Sequence, residues 1–106
     1  MTTSFCVILT TSSKDEAERL AEMLVSRKLA ACVQIVNIAS TYMWQGKITK
    51  EAEFLLLIKT TAHLYPAVET AIMENHSYEV PEIIQIPIAR GLPAYLTWVG
   101  ENTKSQ

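Results

Sequence analysis

The sequence predicts an α+β domain in which an antiparallel sheet carries two helices on one face. Three observations predict it. Apolar side chains recur at helical spacing after a first β-prone segment, a glycine-containing turn joins two long β-prone segments, and a second helical pattern precedes a last β-prone segment. The predicted order is therefore β-α-β-β-α-β, followed by a short C-terminal helix.

The first strand and helix have the clearest local signals. Residues 4–11 are apolar and β-branched, which is typical of a strand. Ser13 and Glu16 have the spacing of a capping box, in which each side chain satisfies a free backbone N–H group at a helix start. The residues that follow form one apolar stripe at positions i, i+3, i+4, i+7 and i+8, namely Ala17, Leu20, Ala21, Leu24 and Val25.

A long hairpin is predicted in the middle of the chain. Residues 31–44 and 47–61 are rich in β-prone side chains, and Gln45 and Gly46 separate them. Residues 54–58 are apolar at every position, so this strand is apolar on both faces. One face can pack on helices, and the other needs a second layer or another subunit. A chain this short favours another subunit, although a central strand between two helical layers is the alternative.

The second half completes the pattern. A second amphipathic helix is marked by Leu64, Val68, Ala71 and Ile72, residues 83–88 form a fourth strand, and a short helix follows Pro93. Pro87 lacks an N–H group, so the fourth strand lies at an edge or ends there. This order is that of a ferredoxin-like, split β-α-β sheet.

Size and charge limit the function. The 106 residues fit one domain, 1–106, and nine Lys and Arg against eleven Asp and Glu leave no basic excess for a nucleic-acid partner. No apolar run approaches the roughly 18–20 residues of a membrane span, and the first residues lack the pattern of a signal peptide. We therefore expect a cytoplasmic protein without a membrane partner. No nucleophile, phosphate-loop or zinc motif is present, so we expect no enzyme and no bound cofactor.

Candidate binding residues lie at the hairpin tip and in residues 76–82. His76, Cys32 and Glu79 are candidate metal ligands, but each has an ordinary structural alternative: a helix-capping histidine, a core thiol and a solvated loop carboxylate. Lys59 follows an apolar run and needs an acidic partner, an anionic ligand or a path to solvent. The aromatic candidates for the wall of a small-molecule cleft, or for a subunit interface, are Tyr42, Trp44 and Tyr78.

Five blocks of sequence together resemble the CutA family, which is named for divalent-cation tolerance. They read KLAACV (28–33), YMWQGKI (42–48), LIKTT (57–61), HSYEVPEII (76–84) and YLTW (95–98), and the likeness extends over residues 5–99. The resemblance implies a cytoplasmic homotrimer similar to the PII-type signalling proteins, with a role in copper and divalent-metal handling. Some members carry a cysteine and a histidine pair proposed to bind copper. The matching positions here are Thr10, Asn75 and His76.

Two functions follow as hypotheses. The first is a metal-response trimer that binds copper or another divalent cation weakly through His76, Cys32 and Glu79. The second is a PII-like signalling or carrier trimer that binds a small zwitterion or carboxylate in a cleft between subunits. The cleft would be lined by Cys32, Tyr42, Trp44, Lys59, His76, Tyr78 and Glu79.

Overall fold

The computed structural model describes residues 3–105 and has the predicted order of elements. The strands are β1 (Phe5–Ser12), β2 (Cys32–Trp44), β3 (Lys47–Thr61) and β4 (Ile83–Pro87). The helices are α1 (Lys14–Ser26), α2 (Tyr65–Asn75), which follows a short 3-10 helix (Ala62–Leu64), and α3 (Pro93–Glu101). Within residues 3–105, no helix is long and apolar enough to cross a membrane.

The four strands form one antiparallel sheet in the order β2-β3-β1-β4. Strand β4 is therefore an edge strand, as Pro87 predicted. Side chains alternate between the two faces, so residues directly opposite each other share a face. Ile8 of β1 lies opposite Ile58 of β3, and Ile58 lies opposite Val33 of β2. This register aligns the apolar residues of three strands on one face.

The hydrophobic core lies between that face of the sheet and helices α1 and α2. The sheet contributes Cys6, Ile8, Leu56 and Ile58, and the helices contribute Ala17, Leu20, Leu24, Val68, Ala71 and Ile72, all of them buried. Burial raises the pKa of the Cys6 thiol to about 11. Cys6 is thus a core thiol in the neutral form at physiological pH.

The predicted apolar stripe of α1 is buried at Ala17, Leu20 and Leu24, but Val25 is 43% exposed, and the predicted capping box is not formed. Ser13 is the N-cap residue, yet its side chain makes no capping hydrogen bond. The Glu16 side chain turns away from the helix start and accepts hydrogen bonds from Ser77. Local spacing therefore predicted where the helix begins but not what Glu16 contacts.

The hairpin extends beyond the rest of the sheet. Gln45 and Gly46 form a two-residue turn with φ values of 48° and 77°, the positive values that a type I′ turn requires. Strand β1 pairs with β3 only from Phe54 onwards, so residues 38–53 form a two-stranded projection, which we call the ribbon. The longest dimension of the molecule is 46 Å.

The second face of the sheet, which we call the open face, is largely apolar and uncovered. Leu55 and Leu57 are half-buried there, and Val36, Ile84 and Ile86 are 46–47% exposed. The short helix α3 packs on β3 at one end of the sheet, where Gly100 approaches the Phe5 ring. This arrangement confirms that the 54–58 segment is apolar on both faces.

Candidate functional site

A groove of about 690 Å³ lies between the ribbon and residues 76–82. Strands β2 and β3 supply one wall, and the loop between α2 and β4 supplies the other. Its lining residues are aromatic, hydroxylic and acidic, namely Thr11, Ser40, Thr41, Tyr42, Trp44, Glu51, Glu53, Tyr78, Glu79, Val80 and Glu82. None of these lining residues is Lys, Arg or His, so the groove is acidic.

Tyr42 is held against the ribbon by Glu51. The two-residue turn fixes the register that places Ser40 opposite Glu51, and Tyr42 lies diagonally across from Glu51 on the same face. The Tyr42 hydroxyl donates a hydrogen bond of 2.7 Å to Glu51 Oε1. This bond stabilises the protonated phenol and raises the pKa of Tyr42 to about 12.

Tyr78 makes the corresponding contact from the loop. Its hydroxyl donates a hydrogen bond of 3.0 Å to Glu53 Oε2, and the Glu53 side chain is buried at 7% exposure. Burial and then this hydrogen bond raise the pKa of Tyr78 to about 12. The two tyrosines therefore fix two neighbouring carboxylates of β3, one from each wall of the groove.

His76 anchors the loop behind the groove. Its side chain is fully buried, its Nε2 lies 2.7 Å from the Thr11 carbonyl oxygen, and its Nδ1 accepts the Tyr78 backbone N–H at 3.0 Å. A neutral ring protonated on Nε2 satisfies both contacts. Both ring nitrogens are thus used inside the chain, and a metal ion at His76 has to displace one of them.

Glu16 holds the same loop from the start of α1. Its carboxylate accepts hydrogen bonds from the Ser77 backbone N–H at 2.6 Å and from the Ser77 hydroxyl at 2.7 Å. His76 Nδ1 also lies 3.4 Å from Glu16 Oε1. Burial on its own raises the pKa of Glu16, but the hydrogen bonds from Ser77 and the nearby His76 outweigh it and lower the pKa.

Cys32 and Lys59 lie at the other end of the sheet, away from the groove. They are directly opposite each other in the β2–β3 register, and the Lys59 ammonium donates to the Gln34 side chain rather than to Glu53. Cys32 lies six positions before Ile38 on β2, and Ile38 lies opposite Glu53. At about 3.3 Å per residue this separation is about 20 Å. One subunit therefore does not bring Cys32 to His76 or Glu79.

The structure divides the predicted cleft residues into two groups. Tyr42, Trp44, Tyr78 and Glu79 line one groove with His76 behind it, whereas Cys32 and Lys59 form a separate pair. Within residues 3–105, no three His, Cys, Asp or Glu side chains are placed to hold a metal ion together.

The other two positions that match the family's proposed ligands are occupied differently. Asn75 Nδ2 donates a hydrogen bond of 2.8 Å to the Ala71 carbonyl, one turn back along α2. Thr10 is buried, and its hydroxyl has no hydrogen-bond partner among the described residues. The Thr10 side chain thus lies in the interior, and the Asn75 side chain contacts the backbone at the end of α2.

The residues that sequence reasoning did not assign to the groove include Glu51, Glu82 and Thr11. The sequence could have placed Glu51 beside Tyr42, because a two-residue turn at Gln45 and Gly46 sets which residues of the two strands lie next to each other. No local pattern links Glu16 to the loop, since Ser77 is 61 residues away.

We expect Glu16→Ala to loosen the loop. The substitution removes both acceptors of Ser77 and leaves a part-buried backbone N–H group without a partner, which costs about 1–3 kcal/mol. Denaturant unfolding measures this loss, and hydrogen exchange at residues 76–80 should accelerate. Because the folded pKa of Glu16 is lowered, its stabilisation is present above the unfolded pKa and is lost as the pH falls through the folded pKa. Unchanged exchange at Ser77 in the variant contradicts the assignment.

We expect the two tyrosines of the groove, Tyr42 and Tyr78, to ionise at a higher pH than an ordinary tyrosine. Their folded pKa values of about 12 lie above the ordinary value of 10.0, so their stabilisation is complete below pH 10 and is lost as the pH rises towards 12. Ultraviolet titration of the Glu51→Gln variant should show one tyrosine, Tyr42, ionising earlier than in the wild type. The Glu101→Gln variant is the matched control, since Glu101 is an exposed carboxylate at the end of α3 that accepts no hydrogen bond from a tyrosine among the described residues. Identical wild-type and Glu51→Gln curves argue against the contact.

Comparison with known proteins supports a single family. Residues 5–102 match the model of the CutA1 divalent ion tolerance protein family. The divalent-cation tolerance protein CutA of Thermus thermophilus is 45% identical over 98 residues, which are 92% of this chain and 95% of that protein. The chloroplastic CutA 1 of Oryza sativa is 44% identical over 102 residues, which are 95% of this chain but 58% of that longer protein.

Solved structures give the same result. The crystal structure of CutA1 from Oryza sativa superposes with a TM-score of 0.95 at 42% identity and covers 99% of this chain and 98% of that one. A structure described as the periplasmic divalent cation tolerance protein CutA from Archaeoglobus fulgidus has a TM-score of 0.90 at 40% identity and covers 97% of this chain and 100% of that one. On its fold, its sequence and the extent of both matches, this chain belongs to the CutA1 divalent ion tolerance protein family.

Proposed function

We propose that this protein is a homotrimer that binds divalent cations weakly and thereby contributes to divalent-cation tolerance, without enzymatic activity. The observation that carries the proposal is the acidic groove, where the carboxylates of Glu51, Glu53, Glu79 and Glu82 line one cavity without a basic side chain among the lining residues. Carboxylate oxygens favour hard divalent cations. The family name supports the same role.

Assembly is the second part of this proposal. The open face leaves Val36, Ile84 and Ile86 about half exposed on one sheet, and such a patch on a soluble protein marks an interface. A closed ring of three copies covers it with a single repeated contact. Each subunit then has a ferredoxin-like sheet with helices α1 and α2 outside, as in PII-type trimers.

Copper is the more demanding part of the metal hypothesis. His76 has to give up an internal hydrogen bond, and Cys32 lies about 20 Å from the groove along its own strand at ~3.3 Å per residue. A copper site made from His76, Cys32 and Glu79 therefore needs ligands from two subunits. We propose that copper binds weakly at such a shared site.

Calorimetry with Cu²⁺ and Mn²⁺ tests the metal role. We expect weak binding of both ions, with Mn²⁺ binding lost in Glu79→Gln and Cu²⁺ binding reduced in Cys32→Ser. Glu101→Gln is the control, because Glu101 is an exposed carboxylate at the end of α3. If neither ion gives a binding isotherm at millimolar concentration, the metal role is wrong.

The groove also favours a second candidate, a signalling or carrier trimer that binds a small molecule. Its volume of about 690 Å³ lies within the range of small-molecule sites, about 300–1,000 Å³, and Tyr42, Trp44 and Tyr78 give it aromatic walls. Lys59 does not reach the groove, so the charge of the site opposes the carboxylate ligand that the sequence suggested. A thermal-shift screen with anionic, neutral and cationic metabolites separates these ligand classes.

We propose a cytoplasmic location for this protein. The two cysteines, Cys6 and Cys32, are both free thiols, the state that a reducing compartment maintains, and this supports the proposal. Fractionation of cells that express the full chain tests it, and recovery in a membrane or extracytoplasmic fraction contradicts it.

A further inference from the structure

We draw no further inference here: the strongest candidate, the shallow apolar groove between helix α1 and strand β2 where Val25 and Ile35 are 43% and 37% exposed, carries none, since nothing in the structure shows what covers it.

Discussion

Leu57→Lys is expected to yield a folded monomer. Leu57 lies on the open face of β3, half-buried and opposite Gln34 and Leu9 on the neighbouring strands. In an isolated subunit, a lysine at this position extends its ammonium into solvent. In an assembled trimer the same ammonium is buried without a partner, which costs several kcal/mol. Assembly should therefore fail, while the circular dichroism spectrum stays close to that of the wild type.

Light scattering after size-exclusion chromatography measures this result directly. The wild type should elute with the mass of three 11.9 kDa chains and the variant with the mass of one. Glu74→Lys is the matched control, since it adds a lysine to the exposed surface of α2, away from the open face. A trimeric Leu57→Lys protein refutes the placement of the interface on the open face.

The fold was predictable because its strongest signals are local. The turn at Gln45 and Gly46 needs positive φ values, and the structure has them at both positions. The apolar run at residues 54–58 predicted two apolar faces, and one of them is the core while the other is the open face. The length of the ribbon beyond β1 was not predictable, since it depends on where β1 begins to pair.

The candidate site was predictable in part, because its two walls are distant in sequence. Tyr42, Trp44, Tyr78 and Glu79 were selected for residue type and do line one groove. The same reasoning predicted Cys32 and Lys59 in the cleft, but they lie elsewhere. Residue type alone does not show which strand residues lie opposite each other. His76 anchors the loop through contacts with Thr11 and Glu16, which are 65 and 60 residues away in the sequence. No local pattern predicts contacts over such a separation.

Leu56→Lys is expected to prevent folding, although position 56 is adjacent to Leu57. Successive strand residues point to opposite faces, and Leu56 is fully buried in the core, where it faces α1 and α2. A lysine there places an unpaired ammonium among aliphatic side chains. Its side chain cannot extend into solvent as directly as a lysine on the open face can. The variant should show no cooperative unfolding transition.

The milder Leu56→Ala provides a quantitative version of the same result. It leaves a cavity in the core and should lower the free energy of unfolding by about 2–5 kcal/mol, measured by urea unfolding, without a change in charge. Leu57→Ala, on the open face, should cost less in an isolated subunit because its side chain is only partly buried there. A Leu56→Lys variant with a native spectrum and a Leu57→Lys variant without one would mean that the two faces of β3 are assigned the wrong way round. The groove would then be wrong as well, because the same strand register places Glu51 and Glu53 in it.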